Sequence, residues 1–191
     1  MKKISLLFVT FLTFAATYSQ QKDFLITDYG AKPDGVSDNV VAIQHAIDDA
    51  YKNGGGKVII PKGRFLTGVI YIKSNVELFV NEEAILLAST NRADYGPSEQ
   101  VSGWIMANDA QNISITGKGI IDGQCDLLIQ DIYNKLIAGE LYDSEWKQFN
   151  DWHQRRPGES NRPRMIRFNN CKNITIKKYS LTKRNGLDTG L

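Results

Sequence analysis

One short pattern, an asparagine followed by an aliphatic, a polar and a second aliphatic residue, occurs three times in the 191-residue chain. The copies are Asn75–Leu78, Asn112–Ile115 and Asn173–Ile176. Alternating aliphatic residues indicate a strand with one buried face, and asparagines at the same turn of successive coils can hydrogen-bond to each other. A single coil cannot bury its apolar face and must stack on neighbours. The pattern predicts an all-β parallel β-helix, although an antiparallel sandwich also fits three loose matches.

The first part of the chain predicts a helix and then short strands. Apolar residues recur every three or four positions from Val36 to Ala50, which predicts one buried helix face ending near Tyr51. This helix would cap the first coil. Glycine, proline and asparagine then recur at short intervals, which favours stacked strands over strands alternating with helices. Strands are expected over residues 24–27, 57–60, 65–72 and 76–80.

The N-terminus has the layout of a secretory signal peptide. Two lysines precede the apolar run Ile4–Ala16, which is shorter than the roughly 20 residues of a membrane span. Small residues follow, so we expect cleavage near Ser19 or Gln20 and a secreted or periplasmic protein. Residues 1–20 would be the signal peptide and residues 21–191 the folded part. A buried N-terminal element is the alternative reading of the apolar run.

The formal charge of +2 comes from the predicted signal peptide. Lys2 and Lys3 are two of the 23 basic residues, and none of the 21 acidic residues lies in residues 1–20, so the remaining chain is neutral. A nucleic-acid partner is therefore not expected, because such binding needs many phosphate contacts from basic residues. Metal ligands are also not expected, since the two cysteines and two histidines lack ligand spacing. Whether Cys125 and Cys171 form a disulfide stays open.

Residues 124–162 are a long insertion between the second and third copies of the pattern. It begins with a predicted helix over residues 126–138 that Gly139 ends. An aromatic stretch follows, and then a series of arginines that runs past the insertion to Arg167. Aromatic rings stack on sugar faces, and guanidinium groups pair with carboxylates, so this composition suits an acidic sugar. A surface loop with packed tryptophans and solvated arginines is the alternative. The candidate substrate-binding residues are Trp152, Arg155, Arg156 and Arg162.

Several segments resemble a known family. Asp28–Ala31 with Asp34-Gly35, then Gly54–Val58 and Ile60–Gly63, are similar to the opening of pectin-lyase-like right-handed parallel β-helix proteins. A narrower resemblance is to glycoside hydrolase family 28, the polygalacturonases, and together the matches extend over nearly all of residues 24–182. The segments that carry it are Gly68–Leu78, Ala84–Ser89, Asn112–Gln124 and Arg162–Phe168 with Cys171–Ile174.

This resemblance implies hydrolysis of α-galacturonosidic bonds in pectin, with inversion at the anomeric carbon and a polysaccharide as the partner. Inversion requires an acid and a base carboxyl group about 6.5–9.5 Å apart. The family supplies catalytic groups from an Asn-x-Asp motif and an Asp-Asp pair, supported by Gly-His-Gly and Arg-x-Lys motifs. This sequence contains only Asp48-Asp49, on the early predicted helix. We therefore assign no catalytic residue, no cofactor and no metal.

In the family, the missing motifs lie on later coils. We therefore expect residues 21–191 to be the N-terminal part of a truncated β-helix domain that is inactive alone. Whether such truncation is biological or reflects a sequencing frameshift stays open, and resequencing of the locus tests it. A non-catalytic carbohydrate-binding β-helix is an alternative function, as is a pectate lyase or epimerase on the same fold.

Overall fold

The computed structural model describes residues 22–146, 156–177 and 180–181. All strand pairs within these residues are parallel, and they form three sheets. Successive strands visit the second, third and first sheet in turn, except that the helix Val40–Lys52 replaces a strand of the third sheet in the first coil, and each coil stacks on the coil before it. The chain therefore folds as the predicted right-handed parallel β-helix and not as an antiparallel sandwich.

The strands are numbered in chain order. The first sheet contains β1 (Asp23–Leu25), β3 (Gly56–Ile60), β6 (Val76–Val80), β9 (Gln111–Gly117) and β12 (Lys172–Ile176). The second sheet contains β2 (Asp34–Asp38), β4 (Gly63–Thr67), β7 (Ala84–Ala88), β10 (Ile120–Asp122) and β13 (Ser180–Leu181). The third sheet contains β5 (Ile70–Tyr71), β8 (Ile105–Asn108) and β11 (Ile166–Asn169). The two α-helices are α1 (Val40–Lys52) and α2 (Cys125–Ala138).

The core is a stack of aliphatic and aromatic side chains between the three sheets. Strand register aligns Val58, Leu78 and Ile115 along the first sheet, and all three are fully buried. Equivalent rows on the other two sheets face them. Burying one such side chain contributes about 1.5–3 kcal/mol, so the stack is the main favourable contribution to folding. The facing rows are Phe65, Leu86 and Ile121 on the second sheet, and Ile70 and Ile105 on the third.

An asparagine ladder runs along the turn between the third and first sheets. Asn112 Nδ2 donates to Asn75 Oδ1 at 2.9 Å, and Asn173 Nδ2 donates to Asn112 Oδ1 at 2.8 Å. All three residues have left-handed backbone, with φ of 62°, 54° and 53°. Asparagine tolerates this conformation better than other side chains with a Cβ atom. The ladder predicted from the repeated pattern is confirmed.

Two further amide contacts extend this ladder between the turn that follows β8 and the turn that follows β11, and the sequence pattern did not predict them. Asn169 Nδ2 donates to Asn108 Oδ1 at 2.7 Å, and Asn170 Nδ2 donates to Asp109 Oδ1 at 2.6 Å. Asp109 and Asn170 are also left-handed, with φ of 50° at both positions. The turn therefore bends through paired left-handed residues whose side chains join one coil to the next.

Helix α1 covers the N-terminal end of the coils as predicted, but it is shorter than its apolar pattern. Val36 lies in β2 and is 78% exposed, so its place on the predicted helix face was wrong. The helix begins after Asn39, whose buried side chain accepts from the Lys32 N–H and donates to the Leu66 carbonyl. This side chain fixes the entry to the helix. The buried face consists of Ala42, Ile43, Ala46, Ile47 and Ala50.

Two predicted strands also differ from the structure. The strand expected over residues 65–72 is two strands, β4 and β5, because the chain turns at Gly68 from the second sheet into the third. The Thr67 hydroxyl bonds the Gly68 carbonyl at this corner. The strand expected over residues 24–27 ends at Leu25, and a turn of 3₁₀ helix follows over Ile26–Tyr29.

Helix α2 lies between β10 and β11, within the predicted insertion. Its buried residues are Leu128, Ile132 and Leu136, and Gly139 ends it in a left-handed conformation, with φ of 77°. Both features agree with the sequence prediction. Cys125 and Cys171 do not form a disulfide. Within the residues that the structure describes, neither helix is long and apolar enough to cross a membrane.

The ladder predicts a graded loss of stability at Asn112. Asn112→Gly removes two amide contacts but keeps the left-handed backbone, so we expect a loss of about 1–2 kcal/mol in the free energy of unfolding. Asn112→Ala also forces alanine into that backbone, which costs about 1–2 kcal/mol more. Urea unfolding of both variants measures the difference. Asn134→Ala, on the exposed face of α2, is the matched control and should change little. Equal losses in the two Asn112 variants would contradict the backbone argument.

Candidate functional site

A cleft of about 550 Å³ lies on the outer face of the third sheet. Its floor comes from β8 and β11, and its walls come from two connecting segments, residues 99–103 and 159–164. Arginine, asparagine and serine side chains dominate the lining. The lining residues that matter for its chemistry are Glu99, Asn108, Glu159, Arg162, Arg164 and Arg167.

The alternation of strand residues places the polar groups in the cleft. Ile166 is turned towards the interior, so its neighbour Arg167 is turned outwards. Parallel register sets Arg167 beside Met106 and Asn169 beside Asn108. The floor therefore combines one cation, one thioether and a pair of amides that bond to each other.

Gly103 allows the wall of the cleft to lie close to its floor. A Cβ atom at this position would stand 2.9 Å from both the Arg167 Cβ and the Met106 Sδ, closer than real side chains approach. The adjoining backbone is fixed, because the Trp104 N–H donates to the Arg164 carbonyl at 2.8 Å. This backbone contact positions the segment that carries Arg162 and Arg164, and the pairing of β11 with β8 positions Arg167.

The three arginines of the cleft differ in their partners. Arg162 forms an ion pair with Glu159, and its buried Nε has no hydrogen-bond partner among the described residues. Arg164 and Arg167 are exposed, and neither forms an ion pair within the described part of the chain. Two guanidinium groups thus face solvent in the cleft without a carboxylate partner from the described residues.

The predicted binding residues have different locations. Arg162 lines the cleft, whereas Arg156 is exposed and is not among the residues that line it. Trp152 and Arg155 lie outside the described residues. Arg164 and Arg167, the last members of the arginine series, enter the cleft although they were not among the candidates.

Trp146 lies at the start of the aromatic stretch and contributes to packing. Its ring meets the Tyr133 ring edge-on, with centroids 5.5 Å apart, and it packs against the core from a partly buried position. Trp146 therefore fits the alternative expectation, in which a tryptophan of the insertion packs onto the coil. Across residues 22–146 and 156–177, no three or more histidine, cysteine or acidic side chains lie together in a way that could hold a metal ion.

A buried polar network supports the cleft from behind. The Arg92 side chain is 1% exposed, and its guanidinium donates to the Asn161 carbonyl at 2.8 Å and to Asn161 Oδ1 at 2.9 Å. It also donates to the carbonyls of Gly96 and Pro97. Burial lowers the pKa of Arg92 from its ordinary value. All four of these acceptors are uncharged, so the network places a buried cation among carbonyl dipoles.

Asn161 is the centre of this network. It is fully buried, and its Oδ1 also accepts from the Glu99 N–H at 2.9 Å. Its Nδ2 donates to the Tyr142 carbonyl and to Asp143 Oδ2. Asp143 in turn accepts from the Gly158 N–H at 2.7 Å. The side chain therefore joins three segments, and two of them carry Glu99 and Arg162 into the cleft.

Sequence reasoning missed Arg92 and Asn161. They are 69 residues apart in the chain, and neither belongs to a periodic pattern. Only the insertion between β10 and β11 brings them together, and its path is not encoded in a repeat. Asn108 had a signal that could have been found, because Asn108-Asp109 and Asn169-Asn170 precede two copies of the asparagine pattern at equal distances.

A family model described as rhamnogalacturonase A/epimerase, pectate lyase-like, matches residues 24–130. The chain belongs to this family. The match begins in β1 and ends within α2, so it contains most of the β-helix coils that the structure describes. The resemblance to polygalacturonases that the sequence motifs indicated is confirmed at the level of the family.

Two relatives of the chain carry different names. An exo-poly-alpha-D-galacturonosidase of Dickeya chrysanthemi is 36% identical over 115 residues, which is 51% of this chain and 19% of that protein. The plasmin and fibronectin-binding protein A of Streptococcus pneumoniae is 34% identical over 111 residues, 46% of this chain and 15% of that protein. The chain thus spans less than a fifth of the length of either relative.

A solved structure has the same architecture. The family 28 exopolygalacturonase of Yersinia enterocolitica superposes with a TM-score of 0.66 over 85% of this chain and 35% of its own, at 22% identity. At this identity the likeness establishes the shared fold. The chain therefore has the parallel β-helix architecture that this exopolygalacturonase also has.

The buried network predicts a large effect at Asn161. Asn161→Ala removes four side-chain contacts and leaves the Arg92 guanidinium short of an acceptor, which should cost about 2–4 kcal/mol in the free energy of unfolding. Urea unfolding measures this loss, and hydrogen exchange should show faster exchange at the Glu99 amide. Asn134→Ala again serves as the exposed control. Unchanged exchange at Glu99 would show that Asn161 does not hold the cleft wall.

Proposed function

We propose that the cleft binds galacturonate units of pectin, and that the chain contributes substrate binding to a polygalacturonase-type glycoside hydrolase. The observation that carries this proposal is the pair Arg164 and Arg167, which face the cleft without an ion-pair partner among the described residues. A uronate presents one carboxylate on each sugar ring. Guanidinium groups bind carboxylates through two parallel N–H donors, which fixes both position and orientation.

The rest of the cleft suits a sugar. Asn108 and Asn169 supply amide groups beside the arginines, and they can exchange hydrogen bonds with ring hydroxyls. Met106 is 5% exposed in the floor, so it adds only a small apolar area between the polar groups. Polar groups that flank a small apolar surface match a pyranose, which has hydroxyls at its edges and C–H groups on its faces.

Bond cleavage requires groups beyond this binding surface. An inverting glycosidase uses two carboxyl groups about 6.5–9.5 Å apart, one as acid and one as base. In the cleft, Glu159 is paired with Arg162, and Glu99 accepts from the Ser144 N–H at 2.7 Å. We assign neither glutamate a catalytic role. We propose that inverting hydrolysis belongs to a form of the protein that also carries the Asn-x-Asp and Asp-Asp motifs of polygalacturonases.

A second candidate function is non-catalytic carbohydrate binding. The engagement of Glu99 and Glu159 by their own neighbours favours it, because the described cleft then offers binding groups without an uncommitted acid and base. The pneumococcal relative is named for binding and not for cleavage. Both candidates require the arginine cleft to bind a uronate, and they differ only in whether sugar bonds are broken.

We also propose that the protein is exported, with a signal peptide removed by cleavage after Ser19 or Gln20. The basic start and the apolar run Ile4–Ala16 support this. Expression of the full chain in a bacterium, followed by N-terminal sequencing of the periplasmic product, should give a start at Gln20 or Gln21. A product that keeps Met1 and stays in the cytoplasm would contradict export.

The proposal predicts binding without hydrolysis for residues 20–191. Titration with trigalacturonate should show binding that weakens with salt, because exposed charge pairs are screened. Arg164→Gln and Arg167→Gln should each lower affinity about fivefold, since one exposed charge pair contributes about 1 kcal/mol. Arg64→Gln, an exposed arginine on the second sheet, is the matched control and should bind as the unaltered chain does. A reducing-sugar assay on polygalacturonate should give no release.

Three results would change this proposal. Equal trigalacturonate affinity in the Arg64→Gln and Arg167→Gln variants would show that the cleft does not bind the substrate. Release of reducing sugar by residues 20–191 would make Glu99 and Glu159 the first residues to test as acid and base. If a form of the protein with both aspartate motifs binds pectin but releases no sugar, the non-catalytic function replaces the hydrolase.

A further inference from the structure

A second depression, of about 390 Å³, adjoins the arginine cleft on the outer face of the third sheet. Tyr51, Tyr71 and Lys73 line it, and Asn108 lines both this depression and the cleft. Strand register continues across the two, because Tyr71 pairs with Met106 and Met106 pairs with Arg167. An aromatic side chain therefore lies two strands away from the cation in the floor of the cleft.

The backbone of Tyr71 is held by a side chain from α1. Gln44 Oε1 accepts from the Tyr71 N–H at 2.8 Å, and Gln44 Nε2 donates to the Tyr71 carbonyl at 3.1 Å. Since β5 is the outermost strand of the third sheet, Gln44 takes the place of a neighbouring strand. Tyr71 is nevertheless 39% exposed, and Tyr51 is 48% exposed. The backbone that carries the exposed Tyr71 ring is thus held before any ligand binds, which reduces the backbone entropy lost on binding.

The two tyrosines have no unpaired cation beside them among the residues that line the depression. Lys73 Nζ lies 2.8 Å from Asp48 Oδ1 and 5.4 Å from the centroid of the Tyr51 ring. The Asp109 carboxylate accepts from the Asn170 amide. The depression therefore offers exposed aromatic surface with its one lysine paired, whereas the arginine cleft offers unpaired cations. The two depressions therefore suit different sugars. An unpaired guanidinium forms strong hydrogen bonds to a carboxylate, and an aromatic face stabilises a neutral sugar ring by burying its C–H groups.

We propose that Tyr71, with Tyr51 as the adjoining wall, forms a subsite for a neutral pyranose of the same polysaccharide that places a uronate in the arginine cleft. The inference rests on the proposed uronate binding by Arg164 and Arg167. Two strand spacings separate Tyr71 from Arg167, about 10 Å, which a short oligosaccharide bridges. The ligand class is therefore an oligosaccharide that contains both a neutral and an acidic sugar, and not uniform polygalacturonate alone.

The test compares three probes by calorimetric titration of residues 20–191. They are trigalacturonate, a neutral galacto-oligosaccharide, and a mixed oligosaccharide in which neutral sugar is joined to galacturonate. Tyr71→Ala should lower affinity for the mixed probe about three- to tenfold and leave trigalacturonate affinity within about twofold. Tyr71→Phe keeps the ring and should retain affinity. Tyr142→Ala, an exposed tyrosine that lines neither depression, is the matched control, and circular dichroism checks the fold of each variant.

The outcomes separate this inference from the function on which it rests. If Arg167→Gln lowers the affinity for both acidic probes while Tyr71→Ala changes neither affinity, uronate binding in the cleft is supported and the aromatic subsite is wrong. If Tyr71→Ala weakens trigalacturonate as much as the mixed probe, the subsite exists but does not select a neutral sugar, and the inference fails. If no probe binds the unaltered chain, the proposed function fails, and this inference fails with it.

Discussion

The structure depends on one constraint, which is that every coil after the first must turn from the third sheet into the first at the same place. Asn75, Asn112 and Asn173 make this turn with left-handed backbone and bond to each other through their amides. Because the side-chain period of a strand is two, a turn displaced by one residue would move the inward aliphatic row to the outside. The ladder therefore keeps Leu78 and Ile115 in the core, and it keeps Arg167 on the surface.

The parts of the fold that repeat could be predicted from the sequence. The asparagine pattern, the apolar face of α1 and the glycine after α2 each produce a local signal within a few residues. The errors occurred where tertiary contacts override that signal. Val36 continues the helical spacing, yet Asn39 uses its side chain to anchor the preceding loop and starts the helix later. Residues 65–72 look like one strand, but the chain turns between two sheets at Gly68.

The candidate site was predictable only in part, for a physical reason. Arginines in a series with aromatic residues indicated an acidic-sugar surface, and the structure places Arg162, Arg164 and Arg167 together. Arg92 and Asn161 carry no such signal, because a buried polar network is defined by contacts between distant segments and has no sequence period. The exposed arginines of the cleft and the buried Arg92 that supports its wall have different roles. The exposed guanidinium groups are available to a ligand, whereas the Arg92 guanidinium donates to three backbone carbonyls and to the Asn161 side chain.

The contact between Gln44 and Tyr71 also bears on self-association. An outermost strand with unused N–H and C=O groups can template pairing with another molecule, and stacked parallel coils would extend such growth without limit. Gln44 occupies both backbone groups of Tyr71, so a foreign strand would have to displace a side chain anchored on α1. One glutamine thus protects this edge of the third sheet against fibre-like polymerisation, while the same contact leaves the Tyr71 ring open to solvent.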